Sequence, residues 1–131
     1  MLIYGFDGWY AGFNPDTNDK DRMPFLYPEK DAHAFMRDRA DKAFDKILLD
    51  VDNFSLNKKK MLVTHFPSYS INPIYQRYCA NQTWFDFITE KFDYYVVGHS
   101  HQRERFFKGN CEIVNSGSDY NNPKYQIIKL S

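Results

Sequence analysis

Tyr95-Val96-Val97-Gly98-His99-Ser100-His101 is the stretch on which the fold turns. Asp93 to Val97 is short and mostly apolar, with two β-branched valines, and reads as a buried strand. Gly98 ends that strand and lets the backbone turn or approach something closely. In extended backbone, side chains at i and i+2 share a face. His99 and His101 are thereby expected to converge just past a strand's carboxyl end, where open α/β sheets place their ligands. Imidazole is a ligand for zinc, manganese and iron near neutral pH. A bare His-x-His fits two ordinary loop histidines equally well.

Two further segments repeat the pattern. Met61-Leu62-Val63-Thr64-His65-Phe66-Pro67 is another β-rich apolar run ending in a histidine, with Pro67 as its terminator. Ile113-Val114-Asn115-Ser116-Gly117-Ser118 is a strand running into a small polar turn. Of the four histidines, three follow predicted strands; His33 lies on a predicted helix and reads as a surface residue.

The order Val-Thr-His-Phe-Pro, Gly-His-Ser-His, Asn-Ser-Gly-Ser resembles the C-terminal half of a calcineurin-like metallophosphoesterase. Gly5-Phe6-Asp7-Gly8-Trp9 is similar to the segment that follows that family's Gly-Asn-His motif. The family's Asp-x-His, Gly-Asp-x-x-Asp and Gly-Asn-His-Asp/Glu motifs are missing in their proper order. Gly109-Asn110-Cys111-Glu112 follows the histidine pair, lacks the histidine and reads as a hairpin turn. The resemblance implies half of an αββα sandwich, with a mixed sheet, flanking helices and a C-terminal hairpin. It implies that His65 and His99 ligate one metal and His101 another. The bridging aspartate, the asparagine ligand and the general-acid histidine would lie in the missing half.

Bulk properties set the frame. At 131 residues the chain suits one domain, and 43% hydrophobic residues suffice for a core. Aromatics reach 18%, with ten tyrosines and twelve phenylalanines, and an excess beyond the core's needs points to a partner surface. Formal net charge is zero, which argues against nonspecific nucleic-acid binding. Two widely spaced cysteines, Cys79 and Cys111, and the lack of a secretory apolar segment predict reduced thiols in a cytoplasmic protein. No apolar run is long enough to span a membrane.

In chain order, Met1–Phe6 reads as a strand and Asp7–Tyr27 as a long loop whose Trp9, Tyr10, Phe13 and Phe25 pack it onto the body. Pro28 to about Asn53 reads as a helix, with Phe35, Met36, Ala40, Ala43, Phe44, Ile47, Leu48 and Val51 on its inner face. Asn57–Lys60 is a solvated turn. Tyr69, Asn72 and Tyr75 are placed to line a pocket beside His65, or are plain loop residues. Ile74–Ala80 is a short helix. A second helix opens at Asn81 or Gln82 and runs through Lys91, with Trp84, Phe85, Phe87 and Ile88 inward. Arg103–Phe107 and Cys111–Val114 pair as a hairpin, Asp119–Pro123 turns, and Tyr125–Leu130 is a closing strand. The alternation is α/β, with right-handed crossovers in one sheet. Arg103 and Asn115 are the speculative phosphate contacts; Arg103 or Arg105 suits a bidentate bond, and at least one of the two reads as part of a solvated hairpin face.

Three neutral imidazoles cannot by themselves balance two dications, so an efficient two-metal phosphodiesterase is not expected from this chain alone. Three readings follow. The chain is a protein-binding or inhibitory module, of a size that fits a phage-encoded inhibitor, with a residual manganese or zinc site. Alternatively it is a metal-dependent phosphoesterase completed by a second chain or by oligomerisation. The third is a mononuclear enzyme on His65, His99 and His101. In each of the first two a protein partner or homo-oligomer is expected, because half a sandwich leaves an apolar face bare.

Overall fold

The structure, a computed structural model, describes residues 1–8, 29–54, 57–71 and 79–130. Five strands and two helices alternate: β1 (Leu2–Phe6), α1 (Glu29–Phe54), β2 (Lys60–Thr64), α2 (Trp84–Lys91), β3 (Tyr94–Val97), β4 (Arg103–Lys108) and β5 (Cys111–Ser116). They form one mixed sheet of order β1-β2-β3-β5-β4. β1, β2, β3 and β5 are parallel, and β4 runs antiparallel to β5. The α/β class, the flanking helices and the hairpin are therefore as the sequence predicts. The long loop's aromatics, Asn72, Tyr75 and most of the helix expected at Ile74–Ala80 fall outside the described residues.

Both helices pack on one face of the sheet, and the strand pattern shows why. Leu62, Tyr95, Val97, Cys111 and Ile113 occupy alternating positions that the register aligns across β2, β3 and β5. They share one core with Ala40, Phe44 and Val51 of α1 and Trp84 and Ile88 of α2. Phe44 stacks on Trp84 at 4.5 Å between ring centres, which locks the two helices to each other. Burying an aliphatic side chain such as Leu62, Ile88 or Ile113, each at 0% exposure, stabilises by about 1.5–3 kcal/mol. This layer is the main source of cohesion.

Two predicted inward positions face outward. Phe87 is half exposed, because the inner face of α2 is carried by Trp84, Ile88 and Thr89, with Phe85 packed partly against the core. Phe35 is also exposed, and the Arg39 guanidinium sits 5.7 Å from its ring centre. At its ends α2 has Asp86 in the first turn and Lys91 in the last, both favourable to the helix dipole. Lys91 also pairs with Asp52 of α1 at 2.5 Å.

The opposite face is built differently. Ile3, Met61, Val63 and Val96 align across β1, β2 and β3. Ile3 is 64% exposed and Val63 37%. Further along, Tyr94, Glu112 and Val114 are buried on this same face. Residues 125–130 do not form the predicted strand. The segment is pinned by side chains instead. Arg105 donates from Nη1 to the Ile127 carbonyl at 2.8 Å, and Gln126 donates from Nε2 to the carbonyls of Glu104 and Asn115.

Candidate functional site

Three strand ends meet at one rim of the sheet. The backbone N–H groups of His65 and Phe66 both donate to the Asp7 carbonyl, at 3.0 Å each, joining β2's end to β1's. Gly98 N–H donates to the His65 carbonyl at 3.1 Å, joining β3's end to β2's. Gly8 sits at φ +63°, with Phe66's carbonyl 3.3 Å from where a Cβ would stand. The rim is thus fixed by backbone bonds before any side chain is considered.

Two imidazoles meet there. His65 Nε2 and His99 Nδ1 are 3.1 Å apart, so one nitrogen donates and the other accepts. Buried Phe66 packs against both rings, at 4.8 Å from His65 and 4.4 Å from His99 between centres. His65 and His99, which the resemblance places on one metal, are thus in contact at this rim.

The route to it differs from the extended backbone assumed from the sequence. His99 lies at φ +61° and His101 at φ +54°, both left-handed. Ser100 N–H donates to the Gly98 carbonyl at 2.7 Å, closing a three-residue turn with His99 at its centre. Such a turn with positive central φ is rare and strained. The i, i+2 rule does not apply to this backbone. His101 Nδ1 lies 3.4 Å from Asp119 Oδ1, and its ring meets Tyr120 edge-on at 5.3 Å. Asp119 is held in the predicted turn, where it exchanges backbone hydrogen bonds with Asn122.

Among the described residues, no group of three or more His, Cys, Asp or Glu side chains is gathered to hold a metal ion. Two ligands do fit one. Zinc–nitrogen bonds of about 2.0–2.1 Å at a tetrahedral angle put two ligating nitrogens about 3.3 Å apart. The 3.1 Å between His65 and His99 needs little adjustment. Imidazole binds metal in its neutral form, so these two residues would bring no counter-charge to an ion held between them.

The other residues singled out from the sequence have defined places. Asn115 is 1% exposed, and its amide is engaged by the protein: Nδ2 donates to the Gly98 carbonyl (3.2 Å) and to Ser100 Oγ (2.9 Å), while Oδ1 accepts from Gly117 N–H (3.0 Å). Arg105 is committed to Glu112 at 2.6 Å and to Ile127. Arg103 is exposed, and its backbone passes close to Gly117. Tyr69 stacks on Phe85 and donates to Glu104 Oε2 at 2.9 Å, which directs it into the helix-side core. Burial, and then the Glu104 carboxylate, push its phenol far above the ordinary range.

Tyr95 is a participant the sequence reading overlooked, since it looked like one more apolar strand residue. Its hydroxyl accepts from Ser68 N–H at 3.0 Å and lies 3.2 Å from Thr64 Oγ1, so it organises the chain on both sides of His65. Cys79 and Cys111 are buried and share no disulfide, Cys79 Sγ donating to the Tyr69 carbonyl at 2.9 Å, and burial pushes each thiol up to about 12. Neither thiol is a nucleophile at neutral pH.

No protein-family model, curated protein or solved structure matches this chain. No described helix is long and apolar enough to cross a membrane.

Proposed function

We propose that this chain is a metallophosphoesterase-like half-sandwich that works by binding a protein surface, with His65 and His99 as a residual site for one divalent zinc or manganese ion. One observation carries the reading: both helices lie on one face of the sheet, while Ile3, Met61, Val63 and Val96 form an apolar strip on the other that the C-terminal segment leaves open. Contiguous apolar strips of this kind mark interfaces. A second copy of the chain is the simplest covering surface. With two reduced, buried thiols and no disulfide between them, a cytoplasmic setting suits the chain.

Light scattering at micromolar concentration tests the binding reading. A dimer or larger species is expected, reverting towards monomer on Ile3→Lys and Val63→Lys together. A stable monomer with no partner would count decisively against it.

The two-imidazole contact supports a second reading, in which the covering surface also brings anionic ligands and completes a metal-dependent phosphoesterase. Hydrolysis of bis-p-nitrophenyl phosphate, absent in the isolated chain, gained with the covering partner and lost on His99→Ala, would establish it. Elemental analysis after purification with manganese, with His99→Ala as control, measures the residual site directly.

A further inference from the structure

We propose that Asn115 is a positioning residue: its side-chain amide clamps both ends of the strained Gly98–Ser100 turn and so holds the His99 imidazole against His65. This rests on the reading of His65 and His99 as metal ligands, and it moves Asn115 from a phosphate contact to a support behind the site.

The argument starts from the backbone. A non-glycine residue at φ +61° does not stay there unless its surroundings impose it. The hydrogen bond from Ser100 N–H to the Gly98 carbonyl closes the turn but does not fix it to the sheet. Asn115 does. One nitrogen, Nδ2, carries two protons, and its two acceptors are the residue before His99 and the residue after it. The amide cannot flip, because Oδ1 is held by Gly117 N–H. Gly117 is itself held at φ +65°, packed so closely on the Arg103 backbone that a Cβ would stand 2.4 Å from its nitrogen. Asn115 belongs to β5, paired with Val97 in β3, so the clamp is anchored in the rigid centre of the sheet. Ligand orientation by outer hydrogen bonds is the general means by which proteins tune metal sites.

The test compares the wild-type chain with Asn115→Asp, which keeps an oxygen for Gly117 N–H and removes the amide donors. A second variant, Ser100→Ala, removes one clamp bond and leaves Asn115 untouched. Circular dichroism reports folding. Long-range proton–nitrogen spectra of the metal-free imidazoles report the His65–His99 hydrogen bond, and zinc titration reports affinity. Asn115→Asp is expected to lose the hydrogen-bonded imidazole signature and to weaken zinc binding about 10–100-fold. Ser100→Ala is expected to move both in the same direction by less. A merely structural role lowers the melting temperature and leaves the imidazole signals in place. A folded Asn115→Asp with wild-type imidazole spectra overturns the proposal. If that variant does not fold, unchanged imidazole spectra in Ser100→Ala overturn it instead. If the wild type takes up no zinc, the metal reading fails, and the imidazole spectra alone still decide the role of Asn115.

Discussion

Replacing His99 by glycine should leave a more stable protein than replacing it by alanine, which reverses the usual order. Both changes delete the same imidazole and the same contact with His65. They differ in backbone preference. At φ +61° an alanine bears a left-handed cost of about 1–2 kcal/mol that glycine escapes. Glycine loses about 0.4–1 kcal/mol more than alanine through the entropy of the unfolded chain. The balance favours His99→Gly by about 1 kcal/mol. For a domain of this size that is roughly 3–5 °C in melting temperature, or about 0.5 M in urea midpoint. Urea unfolding of the two variants side by side measures it, with equal slopes showing that stability and not the compactness of either state changed. Ser100, whose φ is not positive, is the control: Ser100→Gly should be less stable than Ser100→Ala. If His99→Ala proves as stable as His99→Gly, the turn is not left-handed and the account of how His99 reaches His65 fails. Neither variant should bind zinc with the affinity of the wild type, so the substitution that relieves strain removes a proposed ligand.

Three other outcomes follow from the same contacts. Gly117→Ala should cost more than about 3 kcal/mol or prevent folding, since it combines a positive φ with a Cβ forced into the Arg103 backbone; expression yield and urea midpoint measure this. Tyr95→Phe should cost about 1–3 kcal/mol in urea unfolding, because it strands the N–H of fully buried Ser68, whose own Oγ is already without a partner. Asp93 bears on acid stability. Burial raises its carboxyl, but Lys60 N–H at 2.8 Å and Lys59 at 3.0 Å outweigh that and hold it below the usual carboxylate range. A depressed folded value means the contribution is complete above the unfolded value near 3.9 and disappears as pH falls through the folded one. Asp93→Asn should therefore lower stability at pH 7, where the contribution is complete, and flatten the acid limb so that the two proteins converge below about pH 4; an unchanged acid limb would refute the pairing.

The sequence exposed the strands because they follow from short-range patterning, whereas that patterning joined His99 to His101 and the pairing of His65 with His99 was only implied by the resemblance. Runs such as Met61–Thr64 and Tyr94–Val97 are apolar, β-branched and bounded by breakers, and a buried parallel sheet leaves them no other place. The hairpin turn at Gly109-Asn110 was equally plain. The handedness of the backbone at His99 and His101 was not, since histidine visits that region too seldom to be read from composition. Asn115 was read as a speculative phosphate contact, because its acceptors, Gly98 and Ser100, are distant in the chain. The closing segment failed as a strand for a related reason. Tyr125–Leu130 alternates suitably, yet Arg105 and Gln126 hold it through side-chain bonds to carbonyls.

The connectivity of the sheet also bears on the order in which its parts assemble. β4 and β5 are joined by two residues and pair at once, whereas β1 must wait for a 26-residue helix to fold back before it finds β2. Local hairpins close in microseconds, and distant parallel strands bear the larger loop-closure cost. Asn115 is therefore in place early on the hairpin, and the strand ends carrying the two imidazoles are drawn onto it afterwards. The rim is a late event in folding: Asn115 can hold Gly98 and Ser100 once β3 joins β5, but the Asp7 carbonyl reaches the N–H groups of His65 and Phe66 only when β1 docks.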